Sequence, residues 1–352
     1  MSLQVSFVDD ARGTDLQLDV ADSETVAVLG PNGAGKSTLL NVIAGLHRPA
    51  SGSGRLDGET LFDLGDRART WVPAQDRRVG LLSQDALLFP HLSVLENVAF
   101  GPRSAGAGRS EARRRASHWL EQVEALDLAG RRPGQLSGGQ AQRIAVARAL
   151  AAEPRLLLLD EPLAALDQSA APLVRRLLKR VLEGRPSVIV THDVMDALVL
   201  ADRIVVVEGG RVVEQGTTDA VLERPRSRFA AGMAGLNLLH GRITDVGLAA
   251  GSGTVSGSID ATAAAGDDGV AVFRPADVAV YTQAPAGSPR NTFHVTVTDV
   301  EPHGDQLRVR AGDLAADVTP AAAAELELAP GTPAVFVVKA AAVTIYPGKP
   351  AH

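Results

Sequence analysis

Apolar and polar positions alternate at the start of the chain: Leu3, Val5 and Phe7, then Leu16, Leu18 and Val20, stand among polar neighbours with period two. That is the pattern of half-buried β-strands. Thr25-Val-Ala-Val-Leu29 is almost wholly apolar and predicts a short strand buried on both faces. The period then changes, with Leu39, Leu40, Val42, Ile43 and Leu46 at helical spacing. A β segment follows near Gly54–Gly58, and Arg77–Ser83 reads as a strand ending at Gln84. Ser93-Val-Leu-Glu96 fits a capping box and predicts a helix start. The stretch 109–128 predicts a helix with Trp119, Leu120, Val123, Leu126 and Leu128 on one face and Arg113, Arg114 and Arg115 on the rest, a solvated face. Residues of about 85–150 thus read as a helical block inserted in an α/β domain. Leu156-Leu-Leu-Leu159 predicts a buried strand, 173–182 a helix, Ser187–Val190 another strand, and Gly209-Gly210 the turn of a hairpin. Strand, loop and helix in repeated order predict an α/β fold with a mainly parallel sheet.

The pattern changes after about residue 235. Gly, Ala, Thr and Asp become frequent, and short alternating runs take over: Val270–Phe273, Val278–Tyr281, Phe293–Val297, Leu307–Arg310 and Val335–Val338. Thr319-Pro320 reads as an N-cap and first helical residue opening a short helix to Leu328, and 251–269 as loop. The expected division is 1–235 and a β-rich 236–352, the latter a small barrel of the oligonucleotide/oligosaccharide-binding type.

Composition narrows the function class. A chain of 352 residues has room for two domains, and 35 basic against 41 acidic residues give a net charge of −6, against a general nucleic-acid binder. With no cysteine there are no disulfides, thiolate metal sites or cysteine nucleophiles. Met1–Phe7 lacks the features of a signal peptide, and no apolar run approaches the roughly 18–20 residues that span a bilayer. The expectation is a soluble chain whose membrane role is peripheral.

The chemistry starts at Gly30-Pro31-Asn32-Gly33-Ala34-Gly35-Lys36-Ser37-Thr38, which matches G-x-x-x-x-G-K-[ST] between a predicted strand and helix. Such a loop aims backbone N–H groups at phosphates, with Lys36 reaching the β- and γ-phosphates and Ser37 carrying Mg²⁺. Lys36 is the only lysine before Lys179 in a chain that otherwise uses arginine. Asp160, at a buried strand end, is the expected acidic partner of Mg²⁺, and Glu161 the general base that polarises the attacking water. His192 follows the next strand and could meet the γ-phosphate beside Glu161; Gln84 could place an amide oxygen on the metal. Leu136-Ser137-Gly138-Gly139-Gln140 is a second anion-binding design outside this site. A head-to-tail pair of copies reconciles the two, each clamp closing on the other's nucleotide.

In that order, Gly30–Thr38, Gln84, Leu136–Gln140, Leu156–Pro162, Leu166-Asp167 and His192 resemble the ATP-binding cassette of ABC transporters over residues 1–235. The resemblance implies a P-loop NTPase fold, a homodimer sandwiching two ATP molecules with Mg²⁺, an aspartate loop at Asp167, and permease contacts from Gln84 to Val94. No aromatic ring in residues 8–20 is placed to stack on adenine; Arg12 or an aliphatic surface could substitute.

Ser288-Pro-Arg290-Asn291 before an alternating strand resembles the S-x-R-N start of the Mop/TOBE domain, over about 286–349, and Asp76–Val79 through Leu88–His91 resembles molybdate-importer cassettes. Ser288, Arg290 and Asn291 are thereby candidate contacts for a regulatory molybdate. The implied protein is the ATPase of an oxyanion importer at the cytoplasmic face of the inner membrane. It would serve two transmembrane permease subunits and an extracytoplasmic substrate-binding protein. Another cargo (tungstate, sulfate, ferric iron) and a soluble non-transport cassette are the alternatives.

Overall fold

The computed structural model describes residues 2–65, 69–164, 166, 170–251, 253–288 and 290–348. The chain forms two compact units that meet in sequence between Val221 and Leu222, earlier than the change of composition near 235 suggests. The intervening residues belong with the second unit: Ala231 packs in one cluster with Leu238, Val270, Val272 and Tyr346, and the Tyr346 hydroxyl donates to Pro225 O at 2.7 Å.

In the first unit, β1 (Leu3–Asp9) and β2 (Thr14–Val20) pair antiparallel with Phe7 opposite Leu16, so both alternating patterns face one way. With β3 (Thr25–Leu29) set aside, the same sheet adds β4 (Ser51–Leu56), β5 (Glu59–Leu64) and β6 (Arg69–Trp71). The second sheet brings together β3, β7 (Val79–Leu82), β8 (Leu156–Asp160), β9 (Ser187–Val190), β10 (Arg203–Glu208) and β11 (Arg211–Thr217) in the order 11-10-3-9-8-7. All its pairs are parallel except the edge hairpin β10–β11. Every residue of β3 and β9 is buried, which is why they read as apolar runs rather than alternations.

Helix α1 (Lys36–Ala44) buries Leu39, Leu40, Val42 and Ile43 in a cluster with Phe7, Leu16, Phe62, Leu158 and Val190. Arg77 closes its far end: Nη1 donates to Val42 O and Ile43 O at 2.8 and 2.9 Å, Nε to Val72 O at 2.8 Å, and the guanidinium lies over the Trp71 ring. Burial pushes this arginine down to about 10. Gly45 is needed here, since at φ 83° a Cβ would come within 2.7 Å of Arg77 Nε.

A second cluster holds α2 (Val94–Ser104), α3 (Arg109–Gln122), α4 (Gly138–Ala151) and α5 (Ala171–Leu182), the expected helical block packed with the β8 leucines. Ser93 caps α2 by accepting from Glu96 N at 3.2 Å. The helix expected to reach 128 stops at Gln122; Glu124 turns left-handed at φ 51°, and Leu126 is left exposed while Leu128 is buried. Arg115 pairs with Glu111 and Glu153 at 2.7 and 3.0 Å, and Arg114 with Glu111, as suits a solvated face.

The second unit is all-β apart from short helices. Strand 237–244 lies in a six-stranded sheet with 247–250, 253–255, 258–259, 268–273 and 344–347. Two three-stranded sheets hold 278–281, 291–296 and 333–338, and 299–303, 306–311 and 314–318. Phe273, Val309, Phe336 and Ile345 share its core. The stretch expected as loop contributes two strands, because 253–255 pairs with 247–250 and Ser258-Ile259 runs beside Thr344-Ile345. The helix capped by Thr319 ends at Glu325, since Glu327 turns left-handed at φ 49°.

Candidate nucleotide site

Four parallel strands deliver four loops to one edge. In register, Val28 lies beside Val190, Val190 beside Asp160, and Leu159 beside Leu82. The carboxyl ends of β3, β9, β8 and β7 therefore meet, and each is followed at once by residues the sequence singled out. Ligands of open parallel sheets bind at that edge. A cleft of about 870 Å³ is lined there by Asn32, Gly33, Gly35, Lys36, Ser37, Thr38, Gln84, Asp160, Glu161 and His192, with Arg12 and Val190.

The loop Gly30–Gly35 lets backbone come very close. A Cβ on Gly30, at φ 151°, would sit 2.0 Å from Val207 O, and one on Gly35, at φ 104°, 2.7 Å from Thr14 Cγ2. Gly35 leaves the start of α1 without a side-chain cap, so its first N–H groups face the cleft free to bind an anion. Lys36 Nζ donates to Gly30 O and Pro31 O at 2.8 and 2.9 Å, folding its charge over the loop. Desolvation pulls Lys36 below the usual lysine range, with Glu161 and Asp160 opposing.

Ser37 Oγ donates to Asp160 Oδ2 at 3.2 Å. Burial, with the neighbouring Glu161 charge, raises Asp160 above the ordinary carboxylate range, against the Ser37 bond and Lys36. A hydroxyl and a carboxylate at hydrogen-bond distance beside a phosphate cradle suit Mg²⁺, which takes few protein ligands and completes its octahedron with phosphate and water.

Glu161 has a left-handed backbone, φ 49°, pinned by its N–H donating to Val190 O at 2.8 Å. For a residue with a Cβ this conformation is costly, of the kind kept at functional sites. The carboxylate meets two groups: Oε1 lies 3.2 Å from His192 Nδ1, and Oε2 accepts from Gln84 Nε2 at 3.5 Å. His192 is two-thirds exposed and Glu161 mostly covered, 67% against 18%.

The structure thus brings together the loop, Gln84, Asp160, Glu161 and His192. It does not bring Ser137–Gln140 to them. Ser137 Oγ accepts from Gln140 N at 3.3 Å while Gln140 Oε1 accepts from Ser137 N at 3.0 Å, a reciprocal cap at the start of α4, and none of these residues lines the cleft. Asp167 lies outside the described residues. In the second unit Ser288 and Arg290 are exposed, but Asn291 is 2% exposed. Its Oδ1 accepts from Ser256 N at 2.7 Å and its Nδ2 donates to Ser256 O at 2.9 Å, so it fastens backbone rather than offering an oxyanion contact.

Arg12, which no motif marks, closes the other end of the cleft, with Nη1 donating to Thr38 Oγ1 at 3.2 Å. Beside the cleft, Arg175 pairs with Asp196 at 2.6 Å, and Thr191 with Asp196 at 3.4 Å; sequence reading missed this network because its members lie on separate elements.

Residues 14–164 match the ABC transporter family and 287–345 the TOBE domain. The molybdenum import ATP-binding protein ModC of Mycobacterium tuberculosis is 48% identical over 99% of this chain and 98% of its own length. The sulfate/thiosulfate import ATP-binding protein CysA of Methylococcus capsulatus is 44% identical over 69% of this chain and 71% of its own. A dimeric, post-hydrolysis form of the ATP-binding cassette MJ0796, bound to ADP and Pi, superposes with TM-score 0.55 and 34% identity over 62% of this chain and 99% of that one. The chain belongs to the family of ABC import ATP-binding proteins, with a P-loop cassette followed by a TOBE domain.

Proposed function

We propose that the chain is the ATP-hydrolysing subunit of a molybdate importer, working as a homodimer beneath two transmembrane permease subunits. The observation that carries the cargo is the 48% likeness to a molybdenum import protein, which runs through both units to cover 99% of the chain. The sulfate relative covers 69%.

ATP lies with its phosphates over Gly30–Thr38, Lys36 between the β- and γ-phosphates. Ser37 and Asp160, with Gln84 as a further candidate, would hold Mg²⁺, which when bound would supply charge neutralisation at the phosphates. Glu161 takes the proton of the attacking water, and His192, hydrogen-bonded to it, holds it in line. Ser137–Gln140 of a second copy close over the γ-phosphate, which accounts for a clamp that sits outside its own cleft. The permease docks on the segment after Gln84, where Leu87 is 64% and Phe100 45% exposed on a chain with no membrane-crossing helix among the described residues. On this reading the subunit sits peripherally at the cytoplasmic face, with an extracytoplasmic binding protein delivering the anion and Ser288 and Arg290 available to a regulatory oxyanion.

The test is uptake of labelled molybdate and sulfate by cells lacking the chain, complemented with the parent or with Glu161→Gln. Molybdate uptake should return with the parent only. Undiminished molybdate uptake with lost sulfate uptake would transfer the cargo to sulfate.

A further inference from the structure

Arg148 stands on the last turn of α4, the helix whose first turn is the Ser137–Gln140 cap. It is partly buried, and no ion pair to a carboxylate is found for it among the described residues. It spends its donors on backbone: Nη1 to Leu87 O at 2.8 Å and Nη2 to Ala86 O at 3.1 Å. The Phe89 ring lies below it, 5.6 Å from Cζ, and stacks in turn on Phe100 at 4.6 Å. Burial draws this arginine below its ordinary range, as expected of a cation held without a counter-charge.

The segment it grips is strained. Leu87 has φ 42°, in the left-handed region, and turns its side chain outward at 64% exposure. A large apolar residue adopts that backbone only where its surroundings impose it. The two hydrogen bonds from Arg148 fix the carbonyls on either side of the Ala86–Leu87 junction, so they are positioned to impose it.

The same helix touches the catalytic turn. Gln142 is 1% exposed and its Nε2 donates to Pro162 O at 3.3 Å, one residue beyond Glu161. One rigid element therefore carries the clamp at its start, a tie to the Glu161 turn in its first half, and a grip on the exposed loop about 16 Å from Ser137, at 1.5 Å per residue.

We propose that Arg148 is the positioning residue that carries movement of α4, set by nucleotide at the Ser137 end, to the Ala86–Phe89 loop, displacing Leu87. This rests on the proposed dimer, in which a second copy's nucleotide meets Ser137.

The chain has no cysteine, so Leu87→Cys can carry a single environment-sensitive fluorophore on the full-length protein. Leu126→Cys, at a site 45% exposed on the same helical block, carries the control label. Both are read in a Glu161→Gln background, with and without Mg-ATP, beside light scattering for the dimer. The Leu87 signal should respond to Mg-ATP with Arg148 present and fall by about fivefold or more with Arg148→Met. ATP affinity, dimerisation and the Leu126 signal should stay unchanged. Arg148→Lys, which keeps the charge but reaches one carbonyl, should give an intermediate response and serves if the Met variant does not fold. An equal Leu87 response in these variants overturns the proposal, as does a dimer formed with no Leu87 response. Loss of both labels' responses together also overturns it, since that marks general loosening. ATP binding without any dimer overturns the underlying functional reading instead.

Discussion

Glu161→Gln isolates the chemical step, because it changes charge and leaves shape alone. The residue holds a left-handed φ of 49° with its N–H on Val190 O, and Gln accepts that backbone on the same terms as Glu. Alanine would remove the contacts as well as the charge. The amide oxygen can still meet His192 Nδ1, 3.2 Å away, and it stays near Gln84. What disappears is the ability to take a proton from water. General-base catalysis is worth about 10²–10⁴ in rate, or roughly 3–5 kcal/mol at 1.36 kcal/mol per decade. The cradle is untouched, and one negative charge fewer faces the γ-phosphate, so ATP affinity should hold or improve. Turnover should therefore fall by about 10²–10⁴ with the dimer accumulating in Mg-ATP. Phosphate release at saturating Mg-ATP measures the first, and light scattering the second. A variant that hydrolyses within about tenfold of the parent and stays monomeric would show that the base lies elsewhere.

Three further outcomes follow from particular contacts. Arg12→Ala removes the guanidinium that reaches Thr38 across the cleft and should weaken ATP and GTP binding alike, by about tenfold, since a charge and a flat face read no base edge; calorimetry on both nucleotides decides. Asp160→Asn should raise the melting temperature of the nucleotide-free protein at pH 7 while abolishing hydrolysis. Folding raises this carboxyl above its ordinary 3.8, so the folded state binds the extra proton, and stability falls as pH climbs through that window. The gain over the parent should shrink as the solution is acidified below about 3.8, and a lower melting temperature at pH 7 would contradict the sign. Asn291→Ala strands the N–H and carbonyl of Ser256 and should destabilise the second unit by about 1–3 kcal/mol in urea denaturation; unchanged stability would return Asn291 to the list of ligand contacts.

What the sequence made legible is what chemistry confines to a few consecutive residues. The phosphate loop must be glycine-rich, end in lysine and hydroxyl, and sit between strand and helix. The Asp160–Glu161 pair stands at the end of four leucines because its strand is buried on both faces. Pairings between distant positions leave no such mark. Arg77 over Trp71, Arg12 on Thr38 and Arg148 on Leu87 look in sequence like three surface arginines among many. Asn291 shows the same limit from the other side: it fits a ligand motif, and its partner Ser256, 35 positions away, takes a hydrogen bond at each end of its amide. The stop of α3 at Gln122 was hidden for a related reason, because Val123 and Leu128 stay buried through the turn and keep the apolar pattern running after the helix has ended.

The separation of clamp from cleft has a physical consequence for control. Hydrolysis is favoured where water is excluded and charges at the γ-phosphate are fixed. Within one chain the far side of that position is bounded by His192, which is two-thirds exposed, while Ser137 and Gly138 stand exposed outside the cleft. A single copy can thus hold ATP but leaves the reacting end wet. In the proposed dimer a second copy's clamp would cover it and make catalysis conditional on association. Because α4 carries that clamp and, through Arg148, holds the Leu87 loop, association in the proposed dimer would also move the surface offered to a membrane partner. Coupling would then need no wire from ATP to permease beyond one helix and one partly buried arginine.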